Sequence, residues 1–248
     1  MLSGFSFVYN GLKAGMPVRE SIRATRDYVD EIVIVDAGSN DGTRELLESM
    51  PEVDRILDAE WGTDGGETLK RLHAMHIQCK NDIILHWEMD EVFDESLLIN
   101  IQEGIVNYSH HWLVSRIQIE QNFQKVRWYP EYVHRVFTKG SVIKEGHTTD
   151  FHHMNDMPFL VNSGFLWDIT NCFRDNFIDR IEQQAELRKD TETPEPNYLM
   201  VPLHCAHPVK LTREEVEQRL KEDHWTWTET PLNIPEILKP LVGKTRYD

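Results

Sequence analysis

The segment Glu31-Ile-Val-Ile-Val-Asp36 constrains this chain more than any other. A continuous β-branched run reads as a strand buried on both faces. Helix signals flank it. Pro17 to Tyr28 precedes it, with Pro17 suited to a first turn and Ile22 and Val29 as a sparse apolar stripe. Asp41 to Met50 follows it. The alternation continues: Phe5 to Tyr9, Asp54 to Asp58 and Asp82 to Trp87 read as strands, and Glu67 to Cys79 and Ser96 to Val106 as helices. Strands alternating with helices imply right-handed crossovers. The expected fold is α/β, a Rossmann-type mixed, mainly parallel sheet flanked by helices. Ligands of such sheets lie beyond the carboxyl ends of the strands. Those ends are Tyr9-Asn10, Asp36-Ala37-Gly38 and Glu88-Met89-Asp90-Glu91.

After residue 106 the pattern changes. Trp112 to Glu120 partly alternates and Tyr132 to Thr138 reads as a short strand, with Arg127-Trp128-Tyr129-Pro130 as an aromatic turn between them. Arg174 to Arg188 reads as a helix and Glu192 to Pro196 as a break. Thr212 to Asp223 reads as a helix with Thr212 as N-cap and Glu215 completing a capping box. The tail beyond His224, with Trp225 and Trp227, reads as a strap or lid. The length of 248 residues allows one large domain with a small appendage. We expect one domain at 1–210, in two halves at about 1–106 and about 107–210, and a C-terminal helix and strap at 211–248.

A net charge of -16 argues against a nucleic-acid partner, because phosphate repels an acidic surface. Phosphate at a single local site stays open if a cation or metal is there. Cys79, Cys172 and Cys205 form no disulfide framework, which fits a reduced compartment. No run reaches the roughly 18 apolar residues of a spanning helix, and the first residues do not read as a signal peptide. The expectation is a cytoplasmic protein.

Two loops carry the chemistry. In the first, the buried strand ends at Asp36 and Gly38-Ser39-Asn40-Asp41-Gly42-Thr43 leads into a helix. Asp36 can accept from a base N–H or a ribose hydroxyl, and the small residues let a ligand approach the backbone. Ser39 or Asp41 can cap the helix; equally, the loop serves as a tight connection. In the second, Glu88 and Asp90 alternate, which places both carboxylates on one side if the strand continues. Two carboxylates facing one way suit a hard divalent ion, Mg²⁺ or Mn²⁺, with room for phosphate oxygens. The plain alternative is a solvated acidic loop, with Glu91 and Asp94 near a helix N-terminus.

Together these segments resemble the family 2 glycosyltransferases of the GT-A fold. The resemblance rests on Phe7-Val8-Tyr9-Asn10, on Asp30 to Thr43 and on Glu88-Met89-Asp90-Glu91. It continues more weakly through Arg127 to Phe137, which is similar to a stretch of the lipopolysaccharide-biosynthesis branch, and ends near residue 150. It implies transfer of a sugar from a nucleotide-sugar donor, with inversion, to a glycan, lipid-linked or small-molecule acceptor, with 1–106 as the nucleotide-binding half and 107–210 as the acceptor half. It implies that Asn10 and Asp36 meet the nucleoside, with Tyr9, Gly38 and Ser39 beside them, and that Asp90 binds the donor and its metal. Glu88 stands where the family has aspartate. The general base is open among Glu131, Glu145, His147 and Asp150, because Gly146-His147-Thr148 departs from the family's His-Glu pair.

Arg71, Lys70, Lys244 and Arg246 are candidates for touching the diphosphate. Trp128, Tyr129, Tyr132, Trp225 and Trp227 could stack on sugars or simply pack. His152-His153 and His204-Cys205-Ala-His207 lack the paired spacing of structural zinc sites, and His204 is a candidate extra ligand to the donor metal. A sugar nucleotidyltransferase would need a Gly- and Arg-rich loop after the first strand, and Asn10 to Pro17 does not supply one. A non-catalytic nucleotide-sugar or glycan-binding module is the other rival.

Overall fold

The structure is a computed structural model that describes residues 1–62, 65–105, 112–120, 125–141, 159–171, 198–201, 209–212, 227–229, 234–244 and 247. Four parallel strands form one half of the main sheet: β1 (Leu2–Val8), β2 (Glu31–Asp36), β3 (Arg55–Asp58) and β4 (Ile83–His86). The helices between them are α1 (Val18–Arg26), α2 (Thr43–Ser49) and α3 (Gly65–Ala74). The predicted alternation is what forms here. Helix α1 begins after Pro17, which sits at the N-cap instead of in the first turn. The helix predicted through Cys79 ends at Ala74 and tightens into a 3₁₀ turn, Met75–Gln78.

The second half adds β5 (Glu91–Phe93), α4 (Glu95–Ile105), β6 (Trp112–Glu120), β7 (Lys125–Thr138) and β8 (Phe159–Asn171). The strand order is β3-β2-β1-β4-β7-β6-β8-β5. Strand β7 runs antiparallel to β4 and β6, while β8 runs parallel to β6 and antiparallel to β5. The small strands β9 (Tyr198–Val201) and β10 (Val209–Thr212) pair with each other, and β11 (Trp227–Glu229) pairs with β7. Thr212, expected as a helix N-cap, is the last residue of β10. The helix expected at 174–188, the rest of the one expected at 212–223 and the break at 192–196 lie outside the described residues.

The turn expected at Arg127 to Pro130 is strand. The β6–β7 register passes from Arg116 opposite Glu131 to Gln118 opposite Arg127, so residues 128–130 fall in an irregularity. A bulge is where a sheet tolerates a proline, because no ladder bond needs the missing N–H.

Strand β2 shows why this sheet is buried on both faces. Ile32 and Ile34 join the core under α1, α2 and α4; Val33 and Val35 join the opposite core under α3. On the first side α4 approaches the sheet at Gly104, directly over the Trp112 ring. A third cluster gathers Val92, Ile117 and Ile119 around Leu238, Leu241 and Tyr247. The Tyr247 hydroxyl donates to Glu20 and accepts from the Arg19 N–H, which ties the C-terminal segment to α1. No helix among the described residues is long and apolar enough to cross a membrane.

Under α3 lies a group of buried histidines. His76 donates from Nδ1 to the His73 carbonyl and accepts the Gly140 N–H at Nε2, and His86 donates from Nδ1 to the Phe5 carbonyl. His73 and His86 meet edge to face, with ring centroids 4.8 Å apart. Burial, with neighbouring charge, holds His73 and His86 well below the usual histidine range and His76 below it. The folded chain therefore keeps them neutral where the unfolded chain begins to protonate, near pH 6.5. A histidine with a depressed folded pKa stabilises above that pH, and the contribution is lost as pH falls below it. Each adds a slope of up to about 1.4 kcal/mol per pH unit. Melting temperature should fall between pH 7 and pH 5.5, and His86→Gln should flatten the fall. An unchanged slope in that variant would show that His86 takes no part.

Candidate functional site

The carboxyl ends of β1, β2 and β4 lie side by side, because β1 pairs with both neighbours in parallel. The first two loops are fastened together. Asn10 donates its N–H to the Ser39 hydroxyl at 2.9 Å and accepts the Asn40 N–H on Oδ1 at 2.8 Å. Leu12 N–H reaches Thr43 Oγ1, and Lys13 N–H reaches Asp41. Asn10 holds a left-handed backbone (φ 49°), a conformation asparagine tolerates better than most residues. Its side-chain oxygen thus braces the second loop, a role beyond the nucleoside contact expected for it. Gly38 (φ 88°) and Gly42 (φ 96°) make the loop's left-handed turns, which a Cβ would strain. The N-cap of α2 is Gly42, with no side-chain cap, and not Ser39 or Asp41 as expected; Asp41 accepts the Thr43 N–H from just outside it.

Asp36 is nearly buried at this edge. One carboxylate oxygen accepts the Ser39 N–H at 3.0 Å; the other lies 3.6 Å from Arg44 Nη1. Arg44 also pairs with Asp58 and Glu48. Tyr9 and Trp61 lie ring against ring, with centroids 5.6 Å apart. The Trp61 backbone N–H donates to the Ala37 carbonyl, which holds that tryptophan beside the Asp36 loop. Arg71 donates to the Glu60 carbonyl, so it stays on this side of the edge. Sequence reasoning passed over Trp61 and Arg44. An aromatic after a short strand and an arginine in a helix's first turn carry no signal until the register places them.

The acidic segment after β4 differs from expectation. Strand β4 ends at His86, so Glu88 and Asp90 do not alternate along a strand. They belong to a turn closed by the Glu91 N–H on the Glu88 carbonyl at 2.9 Å. Trp87 anchors the turn: its carbonyl accepts from Ser6 and its indole N–H donates to Ser21, whose hydroxyl donates to the Glu91 carbonyl. Glu91 is no solvated charge before a helix. It is fully buried, on β5.

What neutralises Glu91 is Arg135, also fully buried, on β7. Its Nε and Nη2 grip the carboxylate at 2.8 and 2.6 Å, a bidentate fork. Arg116 Nη1 stands 3.4 Å from the same carboxylate, which also accepts the Glu88 N–H at 2.9 Å. Burial works against the charge on Arg135, and the two facing glutamates more than reverse this, so its guanidinium titrates above the ordinary value. Burial pushes the Glu91 carboxyl up, with Arg135 pulling it back. Asp90 is 4% exposed, while the Glu88 side chain is 28% exposed and 3.4 Å from Arg135. Among the described residues no group of three or more His, Cys, Asp or Glu could hold a metal ion. The carboxylates that remain in this turn are those of Asp90 and Glu88, and oxygen donors of this kind suit Mg²⁺ or Mn²⁺, which complete their shells with water and phosphate.

The base candidates are not assembled. Glu131 is on β7, opposite Arg116 in register. Glu145, His147, Asp150 and the extra ligand candidate His204 lie outside the described residues, as do His152, His153, Cys205, His207, Trp225 and Arg246.

No protein-family model matches the chain, and no curated protein sequence matches it. Solved structures do. Residues 1–349 of S. aureus TarS match with a TM-score of 0.51 at 12% identity, over 78% of this chain and 67% of that one. The fold is GT-A-like. The same TarS piece solved in complex with UDP matches equally, at 12% identity and a TM-score of 0.51. The chain spans 40% of a longer TarS structure, again at 12% identity over 78% of this chain, with a TM-score of 0.47. A mannosyltransferase from Pyrobaculum calidifontis, solved with GDP-Man and Mn²⁺, matches at a TM-score of 0.46 and 12% identity, over 78% of this chain and 65% of that one.

Proposed function

We propose that this chain is a metal-dependent glycosyltransferase of the family 2, lipopolysaccharide-biosynthesis type, moving a sugar from a nucleotide-sugar donor to a glycan, lipid-linked or small-molecule acceptor. One observation carries the reading: at the carboxyl edge of a GT-A-like sheet, a nearly buried Asp36 ends β2 and a nearly buried Asp90 lies in the turn after β4, the two strands that flank β1. Asp36, with Tyr9 and the Gly38-Ser39 backbone, receives the nucleoside. Asp90 and Glu88 hold Mn²⁺ or Mg²⁺. When bound, that ion neutralises the donor's diphosphate as a Lewis acid. Arg71 donates to the Glu60 carbonyl, and in this reading it leaves that carbonyl to meet a donor phosphate. The acceptor hydroxyl attacks from the face opposite the diphosphate, and one of Glu131, Glu145, His147 or Asp150 takes its proton. The site of action is cytoplasmic.

A screen of UDP-, GDP-, CMP- and dTDP-sugars by melting temperature, with Mn²⁺ and with chelator, tests this. A ligand at a hundred times its dissociation constant adds about 2.7 kcal/mol to the native state. One nucleotide class should raise the melting temperature, and only with metal. No shift with any donor would remove the reading. A shift with no donor breakdown, with or without acceptor glycans, would favour the non-catalytic binding module.

A further inference from the structure

Asp36 and Asp58 stand beside each other in the β2–β3 register, at the carboxyl ends of parallel neighbours. Two carboxylates placed so repel unless a cation lies near both. Arg44, in the first turn of α2, supplies that cation. We propose that Arg44 is a positioning residue for the nucleoside contact: held by Glu48 and Asp58, it steadies the Asp36 charge and leaves that carboxylate's second oxygen for an N–H or O–H of the nucleoside. The proposal rests on Asp36 receiving the nucleoside.

The distances divide the three acids around this guanidinium. Nε donates to Glu48 at 2.7 Å, one helical turn on, and Nη1 donates to Asp58. Those are direct charge-assisted bonds. Nη1 stands 3.6 Å from Asp36 Oδ2, too far for a hydrogen bond. Asp36 Oδ1 accepts the Ser39 N–H at 3.0 Å; among the described residues Oδ2 accepts no hydrogen bond. Burial separates the acids too. The Asp58 and Glu48 side chains are 83% and 57% exposed, that of Asp36 5%. The two exposed acids hold the arginine. The nearly buried one feels its charge without giving up an oxygen to it. A guanidinium bonded directly to Oδ2 would occupy the acceptor that the ligand needs. Three carboxylates against one guanidinium also leave this corner formally negative. It therefore turns a phosphate away and favours the uncharged end of a nucleotide.

Binding of UDP and of GDP to the full chain, with Mn²⁺ present, is read by isothermal titration calorimetry, and folding by melting temperature. Asp36→Asn should weaken whichever nucleotide binds. Arg44→Met should weaken it about five- to tenfold, within the ordinary coupling of neighbouring residues, and by less than about twofold in the Asp36→Asn background. A merely structural arginine predicts equal Arg44→Met effects in both backgrounds, and that result overturns the proposal. Asp58→Ala tests the sign. Removing an exposed acid from this acidic chain would, by charge alone, tighten an anionic nucleotide. The proposal predicts several-fold weaker binding, because Arg44 loses an anchor and closes on Asp36 Oδ2. Equal or tighter binding contradicts it. If Arg44→Met does not fold, Arg44→Lys decides: it keeps the charge but cannot hold both anchors at once. It should weaken binding in the native background and not beside Asp36→Asn, and native affinity there sinks the proposal. If Asp36→Asn itself changes nothing, the nucleoside reading of Asp36 fails and the proposal with it. If only the Arg44 and Asp58 variants change nothing, the reading stands and the proposal falls. A native chain that binds neither nucleotide removes both.

Discussion

Arg135→Met alone is expected to destabilise the protein by about 3–5 kcal/mol, the range for breaking a buried pair from one side. In a chain of this size that lowers the melting temperature by roughly 10 °C. The reason is the group left behind. Glu91 has no exposure and, among the described residues, keeps Arg116, at 3.4 Å, as its charged partner. The orphaned carboxyl escapes by taking up a proton, so its folded pKa rises further. A group with a raised folded pKa adds stability at low pH and loses it as pH rises. The deficit against the native chain should therefore narrow from pH 8 to pH 5.5. Loss of Arg135 acts the same way on His73 and His86, since its charge helps keep them neutral. Chemical unfolding of both chains at several pH values would check this. A deficit below about 1 kcal/mol would mean that the Glu91 site admits water or a substitute cation.

Gly104→Ala is the second large effect, and its sign is unusual. In a helix interior, alanine normally exceeds glycine by about 1 kcal/mol. Here the new Cβ would lie 2.6 Å from Trp112 Cζ2 and 2.9 Å from Cζ3, and closer still to Cη2. Real Cβ atoms do not approach so closely, and Trp112 is itself buried in the core that α4 covers. The helix must lift or the indole must turn. Overpacking of this kind costs about 1–3 kcal/mol, and the upper end applies where a buried ring cannot yield. The clash is with the outer edge of the indole, which phenylalanine lacks. Gly104→Ala should therefore be much less costly in a Trp112→Phe background, and a double-mutant cycle on melting temperature measures the difference. Equal costs in both backgrounds would contradict the packing.

How far the sequence could be read depends on how local each determinant is. Strand β2 was legible because burial on both faces demands an unbroken apolar run, and Ile32 to Val35 is one. The loop from Asp36 to Thr43 was legible because its glycines and short polar residues are what a left-handed turn into a helix requires. Glu91 was not legible. Acidic residues before a helix usually face water, and the cation that reverses this lies 44 residues away on another strand. The Glu88–Asp90 alternation misled because an apolar run does not reveal where its strand stops; closure of the 88–91 turn ends it at His86. Pro130 misled in the opposite sense: the sheet absorbs it in a register irregularity between β6 and β7. Strand β8 carried no usable signal, since Ser163, Gly164 and Asp168 interrupt its apolar residues, and its partners β6 and β5 are far away in sequence.

The most direct test of the central claim is release of the free nucleotide from the donor that the melting screen selects, in native chain and Asp90→Asn, with Mn²⁺ and with chelator. The account predicts slow, metal-dependent release by the native chain, faster with a suitable acceptor. It predicts a loss of about a hundredfold or more in Asp90→Asn at native melting temperature, the several kcal/mol that a misplaced Lewis acid forfeits. Turnover that survives chelator and Asp90→Asn unchanged would contradict the account.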